Sequence, residues 1–184
     1  MSAKRLLRSV EKQQYLSDEN YGGRNNRSAI DVVLKKVFTL TTYQLTRTNA
    51  AITDCDAEAC YDRILSHVMA LTNIKAGLPR KTATLFMNIL NNMKYYISTG
   101  LGISEEANTN SEETPIYGIG QGATDASAQW TLMSDAIQKN HNKRAIGTTI
   151  TNPTKSIIAS RSLNMFVDDA SMLHTSKNKQ AKPN

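Results

Sequence analysis

Carboxylates at two places in this chain, with a glycine turn between them, could do chemistry together. The first place is the stretch ITDCDAEACYDRI, residues 52–64, where Asp56 precedes Tyr61 and Asp62. The last is FVDD, residues 166–169, where Asp168 and Asp169 are adjacent. Between them lies GIGQGATDASAQW, residues 118–130, a Gly-Gln-Gly turn running into a helix. The chemistry that needs such a set is phosphoryl transfer on two divalent cations. Two Mg²⁺ ions about 4 Å apart, one at the attacking oxygen and one at the leaving oxygen, need carboxylates from both sides. Mg²⁺ takes oxygen ligands and lets phosphates and waters complete its shell. Carboxylates drawn together repel and raise each other's pKa unless cations neutralise them. An Asp-Asp pair alone carries little weight, because such dipeptides arise by chance. Asp54 and Asp62 are read first as residues that cap or solvate the junction between a strand and a helix.

The elements around these residues follow from periodicity. Residues 2–14 read as a basic helix, and YGGRNNR (21–27) as a loop by its Gly and Asn content. Ser28, with Asp31 three residues on, is an Asp version of the capping box. Ile30, Val33, Leu34 and Val37 then follow at helical spacing, which predicts a helix over about 29–45. NAAITDCDA (49–57) reads as a strand ending at acids. Ile64, Val68 and Leu71 return to helical spacing, and Pro79 opens another helix with Phe86, Ile89, Leu90 and Met93 on one face. KYYIST (94–99) is strand-like, and residues 100–114 form a polar, acidic loop. A helix is expected over about 125–139, and two weak strands around Asn152-Pro153. SLNMFV (162–167) and SMLHT (171–175) are short strands that place Asp168, Asp169 and Ala170 at a turn. The pattern is α+β: an antiparallel hairpin beside another acid-tipped strand, covered by helices on one face.

Composition sets the frame. At 184 residues the chain is one domain or part of a larger one. Hydrophobic residues at 40% and charged residues at 21% fit a folded protein rather than a disordered one. No run approaches 18 apolar residues, so no membrane span is expected. The N-terminus is charged and lacks an apolar core, so it is no secretory signal, and an intracellular protein of nucleus or cytoplasm is the expectation. The net charge of +6 tilts towards a polyanionic partner. The basic residues cluster at Lys4/Arg5/Arg8, Arg24/Arg27, Lys143/Arg144 and the tail. Cys55 and Cys60 have no zinc or redox spacing and read as reduced thiols.

In their order, the three blocks resemble motifs A, B and C of reverse transcriptases, most like those of non-LTR retrotransposons and group II introns. Motif A of that family reads D-x-x-x-A-[FY]-D, and residues 56–62 read D-A-E-A-C-Y-D. Motif B reads Q-G-x-x-x-S-P, and residues 121–127 read Q-G-A-T-D-A-S. Motif C reads [FY]-x-D-D, and residues 166–169 read F-V-D-D. Upstream, YGGRNNRSAID (21–31) is similar to the fingers segment G-F-R-x-x-R-S-x-x-D. The resemblance covers about residues 5–175. It implies a right-hand polymerase palm, a ferredoxin-like antiparallel sheet with helices on one face, over 49–175, partial fingers over 1–48, and a loose basic tail over 176–184.

The same resemblance implies an RNA-directed DNA polymerase that transfers dNTPs to a primer 3′-OH on an RNA or DNA template, with two Mg²⁺ ions or Mn²⁺ as a substitute. Asp56 and Asp168 would hold the metals, with Asp169 as the less direct third acid. Tyr61 would be the steric gate against a ribose 2′-OH. Gln121 and Gly122 would lie against the incoming nucleotide, and Arg24 or Arg27 would hold its triphosphate. The chain departs from the family at Ala126-Ser127, where motif B has Ser-Pro, and at Cys60, where motif A has Ala. It stops about 15 residues after Asp169, so a fragment without the family's thumb is expected. Two other readings stay open. One is a nucleic-acid-binding remnant without catalysis. The other is an RNA-dependent RNA polymerase palm, against which Tyr61 and the Gln-Gly block speak.

Overall fold

The computed structural model describes residues 3–112, 116–120, 123–145, 147–152, 154 and 158–175. Gln121, Gly122 and the tail 176–184 lie outside the described residues. The chain opens with α1 (Ala3–Lys12), then α2 (Ala29–Thr46) and β1 (Ala50–Asp56). Two helices follow, α3 (Ser66–Lys75) and α4 (Arg80–Asn91). Four two-residue strands come next: β2 (Lys94–Tyr95), β3 (Ser98–Thr99), β4 (Gly102–Ile103) and β5 (Asn108–Thr109). The long helix α5 (Ala126–Arg144) leads to β6 (Thr148–Thr151), β7 (Ile158–Arg161), β8 (Leu163–Phe166) and β9 (Asp169–Thr175). The architecture is mixed α+β.

The capping box forms as the sequence dictates. Ser28 accepts the Asp31 N–H at 3.4 Å, and the Asp31 carboxylate accepts the Ser28 N–H at 2.7 Å. Two donors that α2 would otherwise leave open are thereby satisfied. At its other end Arg47 stops the helix in a left-handed conformation with φ 50°.

The central sheet has strand order β1-β9-β8 and is antiparallel throughout. It is the acid-tipped strand beside a hairpin that the sequence predicts. The turn is placed differently. Phe166 pairs with Asp169, so Val167 and Asp168 alone make the turn and Asp169 is already in the ladder. The stretch 94–109 also differs from a strand followed by a loop. β2 pairs with β5 and β3 with β4, so the run changes partner at Tyr96-Ile97 and the acidic segment is folded into small antiparallel pairs.

Two hydrophobic clusters make up much of the core. Leu6, Val10, Leu16, Leu78 and Leu132 join α1, the segment after it, the α3–α4 connection and α5. Cys60, Ile64, Met69, Ile119 and Trp130 fill the space behind the acid-bearing end of β1. Phe86 packs against both. Met69, Leu132 and Leu173 are fully buried, and each such side chain stabilises the fold by roughly 1.5–3 kcal/mol. Among the described residues no helix is long and apolar enough to cross a membrane.

Candidate functional site

The register of the central sheet decides which acids meet. Asp56 lies directly opposite Asp169 in the β1–β9 ladder. Directly opposed residues put their side chains on the same face, with Cβ atoms about 5 Å apart, where like charges destabilise each other. Asp168 sits in the turn beside them, and its carbonyl accepts the Ala57 N–H at 3.0 Å. The two acid blocks, far apart in sequence, are therefore joined at one end of one sheet. The sequence reading paired Asp56 with Asp168; the strand register sets Asp169 across from Asp56.

Asp168 acts on the neighbouring turn as well. Burial pushes the Cys60 thiol up, the Asp168 charge pushes it further, and Asp56 and Asp62 add to the same effect. Tyr61 is raised chiefly by burial. Its ring is half-buried and meets Trp130 with centroids 6.3 Å apart and planes at 57°.

The hairpin turn is held in a tight seat. Val167 has φ 54°, a left-handed conformation that β-branched residues rarely adopt. Trp130 Nε1 donates to the Val167 carbonyl at 2.6 Å. Behind the turn lies Gly22, where a Cβ would stand 2.4 Å from the Val167 nitrogen, so that only glycine fits. The segment around Gly22 is fixed in turn. Met165 accepts the Tyr21 N–H at 2.8 Å and donates to the Glu19 carbonyl at 2.9 Å. Asn20 Nδ2 reaches the Ser134 hydroxyl at 3.1 Å. On the other side, Gly118 at φ 99° closes on the turn after β1, where a Cβ would stand 2.5 Å from the Asp62 Cα. Strained backbone held on several sides in this way is frequent at functional sites.

A cleft of ≈ 440 Å³ opens between α2 and the acid-bearing face. Asp54, Asp56 and Asp169 line it, with Lys36 from α2, Ser171 and Phe166. Asp54 does more than end the strand. Its two oxygens accept from the Lys36 ammonium at 2.5 and 2.6 Å, and the Ser171 hydroxyl donates to it at 2.6 Å. The Lys36 bond, then the Ser171 bond, hold the Asp54 carboxyl below the usual carboxylate range.

The two arginines are placed differently from each other. Arg24 is 4% exposed and forms a two-pronged pair with Glu11 at 2.5 and 2.7 Å. It also donates to the carbonyls of Ser17 and Asn20 at 2.6 and 2.8 Å. Four of its donor contacts are made inside the fold, although it also lines a recess with Arg8, Glu11 and Asn25. Arg27 reaches further out, pairs with Asp18 at 3.0 Å and lies over the Tyr21 ring. Of the two, Arg27 is the more exposed, and it lines a recess with Asp31 and Lys35 that is separate from the acid-bearing cleft.

The donor set suits a hard cation. Among the described residues, no group of three or more His, Cys, Asp or Glu side chains stands close enough to hold a metal ion. What the sheet offers is an opposed pair of carboxylates. Mg²⁺ is commonly held by one or two carboxylates and completed by phosphates and water, so the pair fits a site that substrate completes, not a closed cage.

Trp130, Gly22, Lys36 and Ser171 carry this arrangement, and sequence reasoning passed over all four. Each acts through a partner distant in sequence. The available signals were Trp130 at the end of the Gly-Gln-Gly block and Gly22 within the segment 21–31 that is similar to the fingers motif.

No protein-family model matches the sequence, and neither does any curated protein. Among solved structures, the chain is similar to part of one chain in the structure of telomerase from Candida albicans in complex with a TWJ fragment of telomeric RNA. The TM-score is 0.53 at 12% identity. The match covers 96% of this chain and 30% of that one, so this chain spans under a third of the length of the protein it matches. At that identity the likeness shows a shared fold and nothing more.

Proposed function

We propose that this chain is a nucleic-acid-binding module with the architecture of a polymerase palm. The observation that carries the reading is the meeting of Asp56 with Asp169 across the β1–β9 ladder, with Asp168 in the turn beside them. The fold shared with a telomerase chain supports it, as does the net charge of +6. A basic chain that presents acids in one cleft is suited to phosphate only if cations bridge the two. The bound partner in this reading is a primer paired to an RNA or DNA template.

The opposed carboxylates are also compatible with a finer reading, in which the module belongs to an RNA-directed DNA polymerase of the retroelement kind. Divalent cations, when bound, would polarise the phosphate and lower the charge at the attacking and leaving oxygens. Asp56 and Asp169, with Asp168 beside them, would hold those ions. Tyr61, braced by Trp130, would stand under the sugar, and Arg27 would face the triphosphate. The chain's own work is positioning. A binding module without turnover accounts equally for the two-carboxylate geometry and the internal use of Arg24.

Primer extension with dNTPs in Mg²⁺ or Mn²⁺, beside a binding titration, separates the two. In both readings primer–template binding weakens steeply with salt as phosphate contacts release counterions. The polymerase reading expects incorporation that Asp168→Asn abolishes while binding persists. Binding without incorporation leaves the module reading; equal incorporation by the variant defeats the metal assignment.

A further inference from the structure

Lys36 is the feature that the proposed reaction does not use. Of the described residues lining the cleft it alone is positively charged, set against Asp54, Asp56 and Asp169. Its ammonium is committed to both oxygens of Asp54 and lies 3.4 Å from the Ser171 hydroxyl. Asp54 and Ser171 are themselves directly opposed across β1 and β9, two residues along from Asp56 and Asp169. Three carboxylates thus share one face, and one of them is bound to a cation the fold supplies.

We propose that Lys36 is a positioning residue for a divalent cation: by holding Asp54 against Ser171 it keeps a third carboxylate off the ion, leaving Asp56 and Asp169 to face it with coordination positions open for phosphate oxygens. The inference rests on the reading of Asp56 and Asp169 as cation ligands. A third carboxylate would tighten the ion but occupy a position that phosphate needs. The ammonium adds a like charge nearby, which lowers affinity for the free ion further. Lys36 therefore keeps the site weak until phosphate arrives.

Mn²⁺ binding, followed by electron paramagnetic resonance of the full chain without nucleic acid, tests this. Lys36→Gln removes the charge and frees Asp54, and is expected to tighten Mn²⁺ binding by about threefold or more. Adding Asp54→Asn to that variant returns the affinity towards the starting value, and Lys36→Arg leaves it near wild type. Ser171→Ala loosens Asp54 without removing the lysine and is expected to tighten binding less, in the same direction. Should Lys36→Gln fail to fold, the Ser171→Ala result decides the matter. Unchanged or weaker binding in Lys36→Gln, or in Ser171→Ala if Lys36→Gln does not fold, overturns the role of Lys36, provided that wild-type binding is lost in Asp56→Asn. If wild-type binding does not depend on Asp56, the cation reading itself falls and takes this inference with it.

Discussion

At the scale of single residues, the acid-bearing end is defined by charges acting on one buried thiol. Cys60 is buried and Cys55 exposed. The Cys60 thiol is raised by burial, then by Asp168, so it holds its proton where an ordinary thiol begins to lose it. Only the thiolate is nucleophilic. Iodoacetamide at mildly alkaline pH should therefore label Cys55 well before Cys60, and Asp168→Asn should speed Cys60 by removing a negative charge. Peptide mapping over time reads both rates. Equal labelling of Cys60 with and without Asp168 would place that carboxylate away from the turn. The residue types at this site were legible in the sequence, because Asp56, Tyr61, Asp168 and Asp169 carry a recognisable spacing. Their pairing was not. Turn preferences for Asp put both 168 and 169 in the turn, whereas the ladder runs on to Asp169 because Phe166 and Asp56 each pair with it.

At the scale of elements, the hairpin depends on its seat. Gly22→Ala would force a Cβ into the Val167 backbone, and overpacking of this kind costs typically 1–3 kcal/mol. Gly100→Ala meets nothing within 4 Å and serves as the control. Urea unfolding should show the first change and not the second; matching midpoints would remove the seat. Helix α2 makes a contrasting case, because its start was fully legible. A capping box joins residues three apart, and short-range chemistry of that kind shows in the sequence. Ser28→Ala should cost about 1 kcal/mol. The Asp31 carboxyl is lowered first by the Ser28 backbone N–H, then by the Ser28 side chain. A depressed carboxylate stabilises the folded form above its unfolded value, and the contribution fades as pH falls through the folded one. The Ser28→Ala difference should accordingly be constant near neutral pH and shrink in acid, below the ordinary aspartate range. A difference that grows in acid would contradict the box. By contrast, the clamp from Lys36 to Asp54 left no trace in the sequence, since its partners lie on separate elements.

At the scale of the whole molecule, the mixed α+β class and the placing of the acid-tipped β1 beside the β8–β9 hairpin were legible from the alternating periodicities. The small pairs formed by β2 to β5 were not, because Lys94, Tyr95, Ser98 and Thr99 find their partners within a polar segment that carries no strand signal. Helix α2 leaves Ile30, Val33, Val37 and Phe38 exposed. The acidic cleft in a basic chain remains the organising feature: Asp56 and Asp169 gather where α2, the Tyr61 turn and the hairpin converge. If this end meets nucleic acid, contact should concentrate there. The most direct measurement is photo-crosslinking of a 5-iodouracil-bearing primer–template to the chain in Mg²⁺, with adducts mapped by mass spectrometry. The account predicts adducts at Tyr61, Phe166 and their neighbours that fade with unlabelled competitor and with salt. Adducts confined to α4 or the β3–β4 tip, or spread evenly and insensitive to competitor, would contradict it.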